Sequence, residues 1–214
     1  MKRNTERAVM LLLIGAFAMS FVFGQTRQSP LLSRNVEISP LFHANIWSAV
    51  HVLADQDIPI GFESREHGDV DNDKRLFLKS GKLEDVLNSI VKQDTYYTWS
   101  EVDGVINFYP ATDRDARFEH LLFTRLGPLT VCGGEHRASL VKSVDRLINK
   151  SNVRFFSVIG EGNSLGLPDK VSTRIEIPNS DLRSVLNKLI RTQAYQPIWT
   201  VSKGIDPGEI VVSF

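Results

Sequence analysis

Residues 74–88, Lys74-Arg75-Leu76-Phe77-Leu78-Lys79-Ser80-Gly81-Lys82-Leu83-Glu84-Asp85-Val86-Leu87-Asn88, align without a gap on residues 173–187, Thr173-Arg174-Ile175-Glu176-Ile177-Pro178-Asn179-Ser180-Asp181-Leu182-Arg183-Ser184-Val185-Leu186-Asn187. The match extends to Tyr96 over Tyr195 and, one inserted residue later, to Trp99 over Trp199. In both segments an alternating run gives way to apolar residues spaced for one helix face: Leu83, Val86, Leu87, Ile90 and Val91, then Leu182, Val185, Leu186, Leu189 and Ile190. The reading is a strand followed by an amphipathic helix, present twice. Ser80 and Asn179 occupy equivalent positions and are expected to cap the two helices.

Outward from these segments the pattern continues in both directions. Ile46, Trp47, Val50, Leu53 and Ala54 predict a helix over 44–55, and 58–62 reads as a short strand. Residues 75–79 alternate with Leu76 and Leu78 on one face. Asp103-Gly104 between the apolar runs 96–101 and 105–109 is a hairpin signal, and 198–202 with 209–213 repeats the arrangement. The opening helix of the second copy is carried by Leu140, Val141, Val144, Leu147 and Ile148, leading into a strand at 153–158. Additional strands are expected at 35–38 and 129–132. The fold class is α+β: two tandem repeats of a small helix and short-sheet sandwich, βαββαββ-like. The expected organisation is a signal peptide at 1–24, a first repeat at 25–110, a linker at 111–127 with one helical turn in 114–122, and a second repeat at 128–214.

The leader reading rests on Lys2, Arg3 and Arg7 preceding an uncharged stretch from residue 8 to residue 24. Cleavage after Gly24 is expected, with Ala16-Phe17-Ala18 as a second possible site. An uncleaved anchor is the alternative, because the stretch lies at the lower limit for spanning a bilayer. The remainder carries 22 Lys and Arg against 24 Asp and Glu. This near-neutral balance without a basic stripe argues against nucleic-acid binding. Cys132 is the only cysteine, so no disulfide forms within one chain.

The order of helix, short strand, the strand Leu76-Phe77-Leu78-Lys79, a polar turn, Leu83-Glu84-Asp85-Val86-Leu87-Asn88-Ser89-Ile90, and a hairpin ending Gly104-Val105-Ile106-Asn107-Phe108 resembles the short N-terminal domain of secretins and TonB-dependent receptors. The resemblance covers residues 35–110 closely and 128–214 more loosely. It implies a periplasmic module that docks partner proteins, without cofactor or catalysis. Chains of that family continue into an outer-membrane pore or barrel, whereas this sequence ends at Phe214. The expectation is therefore that any transport or signalling system lies on another polypeptide.

Several motifs have spacings that bear on chemistry. Gly162-Asn163-Ser164-Leu165-Gly166 fits a nucleophile elbow, but Pro168 and the following β-branched run exclude the helix that must follow, and no histidine comes after His136. With Gly160, the same residues make only a broken dinucleotide fingerprint. Asp69-Val70-Asp71-Asn72-Asp73 begins like a calcium loop, yet Lys74 replaces the glycine and Ser80 the bidentate glutamate. His43, His51, His67, His120 and His136 lack metal-ligand spacing, and Cys132 reads as a small buried residue. Trp47, Trp99, Trp199, Tyr96 and Tyr195 read as packing residues, with a carbohydrate platform as the alternative.

The expected function is therefore a non-enzymatic, periplasmic or secreted protein that binds another envelope protein, in a secretion or transport and signalling context. The alternative is a module binding glycan or peptidoglycan. No catalytic, cofactor-binding or metal-binding residue is expected, and the partner surface and the oligomeric state are not read from the sequence.

Overall fold

The structure, a computed structural model, describes residues 29–39, 43–64, 75–131, 152–156, 175–192 and 197–213. In the first half, β1 (Asn35–Val36), β2 (His43–Ala44), α1 (Ile46–Ala54), β3 (Ile60–Glu63), β4 (Leu76–Phe77), β5 (Gly81–Lys82), α2 (Leu83–Gln93), β6 (Tyr97–Val102) and β7 (Val105–Pro110) follow in order. Next come α3 (Ala116–Leu122), β8 (Arg125–Leu126), β9 (Leu129–Val131), β10 (Val153–Phe156), β11 (Ile175–Ile177), β12 (Ser180–Asp181), α4 (Leu182–Thr192), β13 (Ile198–Lys203) and β14 (Ile210–Ser213). The α+β class is as the periodicity implied. The expected opening helix of the second copy lies outside the described residues.

Each described helix forms for a local reason. In α1 the Asn45 side chain accepts from the Ser48 amide at 3.0 Å, and Ile46, Ala49, Val50, Leu53 and Ala54 make the buried stripe. In α2 and α4 the stripes expected from the aligned segments are buried, except that Val91 is only partly so. The caps differ from expectation. The Ser80 hydroxyl accepts from the Ile38 amide at 2.9 Å and donates to the Ile38 carbonyl at 3.2 Å, while Lys82 stands at the N-cap without a side-chain bond. At α4 it is Asp181, not Asn179, whose carboxylate accepts from the Ser184 amide at 2.8 Å. The physical reason is strand pairing: β5 and β12 take up the residues between the expected cap and the helix, so each helix starts two residues later.

Segment 111–127, expected as linker, is built into the fold. Phe118, Leu121 and Leu122 sit one turn apart on α3 and are buried, and β8 pairs with β12. The small ladders come in corresponding pairs: β1 with β5 and β8 with β12, then β2 with β4 and β9 with β11, all antiparallel. In the large sheet β3 lies parallel to β7, which is antiparallel to β6; likewise β10 lies parallel to β14, which is antiparallel to β13.

One six-stranded sheet, ordered β10-β14-β13-β3-β7-β6, contains both sets, joined by the parallel pair β13 and β3. From one set to the other the lateral order is kept while strand direction reverses. That relation is a half-turn about an axis in the sheet, so it also exchanges the faces. Accordingly the apolar residues form two clusters on opposite sides. Ile60, Phe62, Ile106, Phe108 and Ile198 face α1 and α2, whereas Val105, Trp199, Val201, Ile210 and Val212 face α3 and α4. Covered on both faces, β3 is buried at all four positions and does not alternate. Among the described residues, no helix is long and apolar enough to cross a membrane.

Candidate functional site

The halves join through the parallel pair β13 and β3. Gly61 and Trp199 are register partners across β3 and β13. A Cβ built on Gly61 would overlap the Trp199 ring and the Asn107 side chain, so only glycine lets the indole lie over β3. The Trp199 indole N–H donates to Asn187 Oδ1 at 2.7 Å, and Asn187 Nδ2 donates to the Val102 carbonyl of the first half at 3.2 Å. Further along α4, Arg191 Nη1 donates to the Asp103 carbonyl in the β6–β7 turn at 2.7 Å. That turn has Asp103 and Gly104 at φ of 54° and 71°, the left-handed geometry of a two-residue hairpin.

Next to this contact Glu63 is 0% exposed, at the end of β3. Arg114 grips it with Nε on Oε2 at 2.7 Å and Nη2 on Oε1 at 2.5 Å, while Arg183 Nη2 reaches Oε1 at 2.8 Å. The Arg114 guanidinium also lies 5.2 Å from the Tyr109 ring centroid, and that of Arg183 lies 5.1 Å from Phe123. Burial pushes the Arg183 pKa down; Glu63 acts in the opposite sense and Arg114 in the same one. Arg183 Nε has no hydrogen-bond partner among the described residues. The three side chains come from β3, the intervening segment and α4, and so tie all three parts together. Their chemistry is that of a buried clamp, since a carboxylate held between two guanidinia has its oxygens engaged and is not offered as a base or a nucleophile.

A cleft of about 250 Å³ opens beside this cluster, lined by Ser64, Tyr96, Pro110, Asp113, Asp115, Phe118 and Lys203. That is below the usual size of a small-molecule site, roughly 300–1,000 Å³. Asp115 is moreover committed to structure, accepting from the Arg117 amide at 2.9 Å as the N-cap of α3 and pairing with the Arg117 side chain at 2.6 Å. The hydrogen bond from the Arg117 side chain holds the Asp115 carboxyl below its usual range, and the same contact raises the Arg117 pKa. Because the folded-state value is depressed, this stabilisation is complete above the ordinary carboxylate range and is lost as pH falls through the folded value. Asp115→Ala is therefore expected to lower stability by about 1 kcal/mol at pH 7, with a smaller difference from the parent chain at pH 3. Urea melts at both pH values check this, and an unchanged gap would refute it.

The ends of the large sheet are β6 and β10. Among the described residues no strand pairs with the outer side of β6, which spans six residues and contains neither proline nor lysine. Such an edge lacks two of the common protections against strand addition. Trp99 on β6 is partly buried against the first core, and its indole N–H donates to Asn88 Oδ1 at 3.3 Å. The Ser29 hydroxyl donates to Glu101 Oε1 near the hairpin end of the same strand, at 2.7 Å.

Of the residues singled out from the sequence, Trp199 is fully buried, Trp99 and Trp47 are partly buried, and Tyr96 packs against the first core. The His51 ring lies 4.6 Å from that of Trp47, and His120 is exposed on α3. His43 belongs to β2. His67, His136, Cys132, Tyr195, residues 69–73 and residues 160–166 lie outside the described residues. No group of three His, Cys, Asp or Glu side chains able to hold a metal occurs among the described residues. Gly61, Glu63, Arg114 and Arg183 were not identified from sequence, because 51 and 120 residues separate Glu63 from its two partners. Comparison of the chain with protein-family profiles, curated proteins and solved structures finds no match to any of them.

Proposed function

We propose that this is a non-enzymatic, exported protein that binds another protein of the cell envelope, and that it does so by accepting a strand on β6. The observation that carries the reading is the long outer side of β6, to which no strand pairs among the described residues. Its main-chain groups supply affinity, and Trp99 beside them supplies an apolar anchor. Export follows from the basic and then apolar leader, with Gln25 as the expected first residue of the mature chain. The resemblance to the short N-terminal domain of secretins and TonB-dependent receptors points to the same kind of work, docking in the periplasm. The glycan reading has lost one of its aromatic residues, since Trp199 is buried within the join.

The test is site-specific photo-crosslinking in envelope extract. A photoreactive residue at Thr98 or Ser100 should form a discrete adduct, and one at exposed Ile205 should not. Absence of adducts at β6, or equal adducts at all three positions, would overturn the reading. N-terminal sequencing of the exported chain checks the leader; a chain still beginning at Met1 would contradict cleavage.

A further inference from the structure

We infer that the partner strand runs parallel to β6 and carries glycine opposite Trp99 with apolar residues on either side, the chemistry of β3 itself, and that it belongs to a different protein rather than to a second copy of this chain. The inference rests on the proposal that β6 accepts a strand. It adds the direction, the register and the sequence requirement.

The template is inside the molecule. Ser100 pairs with Asn107 on β7 as Thr200 pairs with Ser213 on β14, so β6 and β13 are corresponding strands with Trp99 and Trp199 at corresponding positions. Each indole N–H donates to an asparagine on the helix of its own half, Asn88 and Asn187. The Ala111 amide donates to the Tyr96 carbonyl, which places the inward-facing main-chain groups of β6 on even-numbered residues. The groups of Trp99 and Glu101 therefore face outward. On β13 the outward carbonyls are again on odd-numbered residues, and those of Pro197 and Val201 receive the amides of Ile60 and Ser64. One edge is thus occupied by β3, and the edge matching it is β6.

What β3 presents to that edge defines the ligand. Its segment Ile60-Gly61-Phe62 places glycine against the indole, with Ile60 and Phe62 pointing to the other face. Asn187 completes the seat with a bond to a main-chain carbonyl of the neighbouring half, whereas its counterpart Asn88 is exposed and has no such bond among the described residues. A second copy adding a strand in the parallel sense of β3 would offer β10, the other end of the sheet. In the main-chain register Phe156 is the partner of Ser213 as Gly61 is the partner of Asn107, so the residue at the position that requires glycine is phenylalanine. A head-to-tail chain of copies is disfavoured by that residue.

The experiment titrates ¹⁵N-labelled residues 25–214 with a synthetic peptide of residues 57–64, Asp57-Ile58-Pro59-Ile60-Gly61-Phe62-Glu63-Ser64, supplied in trans. Expected are shifts and slowed exchange at the Trp99 and Glu101 amides and at the Trp99 indole. The same peptide with leucine for glycine should bind at least tenfold more weakly, and Trp99→Ala should weaken the parent peptide by a similar factor. A spin label at the peptide's amino end should broaden Tyr97 more than Val102. Equal binding of glycine and leucine peptides, broadening in the reverse order, or no binding at millimolar peptide overturns the inference. If adducts at Thr98 persist in that case, the docking edge stands and only the sequence requirement fails. Self-association of the chain that the peptide disperses would show a second copy as occupant and would equally overturn it.

Discussion

Glu63→Gln is expected to lower the free energy of unfolding by about 3–5 kcal/mol, the range for removing one member of a buried ion cluster. Glutamine keeps the volume and one acceptor, so the loss is not a cavity effect. It arises because the guanidinia of Arg114 and Arg183, with side chains 19% and 11% exposed, are left facing each other without the carboxylate that lay between them. The contact with water that both guanidinia retain places the effect toward the lower end of the range. Replacing all three side chains by apolar ones of similar size, as in Glu63→Leu with Arg114→Met and Arg183→Met, is expected to restore most of the stability, because the desolvation of every charge is then relieved together. Urea unfolding at pH 7 distinguishes the outcomes. A change below about 1 kcal/mol for Glu63→Gln would mean that the cluster is solvated like a surface pair.

The second large effect is expected at Trp199. Trp199→Ala should cost about 3–5 kcal/mol, since it empties the largest fully buried side chain, at the junction of β13, β3 and α4. Trp199→Phe keeps most of the ring but leaves Asn187 Oδ1 without its donor, at about 1–3 kcal/mol. Trp99→Ala is the control, with the same residue type in the corresponding position, and it should cost less than half as much because that ring already meets solvent. Gly61→Ala should destabilise by about 1–3 kcal/mol through overlap with the indole and the Asn107 side chain, and should cost clearly less once Trp199 is alanine, when only the contact with Asn107 is left. A double-mutant cycle by urea unfolding measures this coupling. Additive effects of Gly61→Ala and Trp199→Ala would show that the close approach does not govern how the halves join.

Much of the local architecture was legible in residues close together in the chain. The stripe Leu182, Val185, Leu186, Leu189 and Ile190 has the period of a helix, and Asp103-Gly104 requires a tight turn, so these elements needed no knowledge of the rest. Ser80 shows the limit of such reading. Its hydroxyl is a good cap in isolation, but Ile38, 42 residues earlier in the chain, competes for it and wins because β1 and β5 bring the two together. The candidate edge was even less accessible. Trp99 and Trp199 look alike in sequence, and nothing local indicates that one lies against β3 while the other lies at the end of the sheet.

The order of amino acids by itself determined the stripes of α1, α2 and α4, the β6–β7 hairpin, the paired pattern of 74–88 and 173–187, and the α+β class, because these depend on periodicity and turn chemistry within a few residues. Only the tertiary structure decided that six strands form one sheet, that its two cores lie on opposite faces, that Glu63 is clamped by Arg114 and Arg183, and that β6 ends the sheet. Those outcomes depend on which strand edges meet, and a strand's main-chain hydrogen-bonding groups are the same whatever its side chains. Choosing among edges falls to distant shape complementarity, here a glycine that admits an indole.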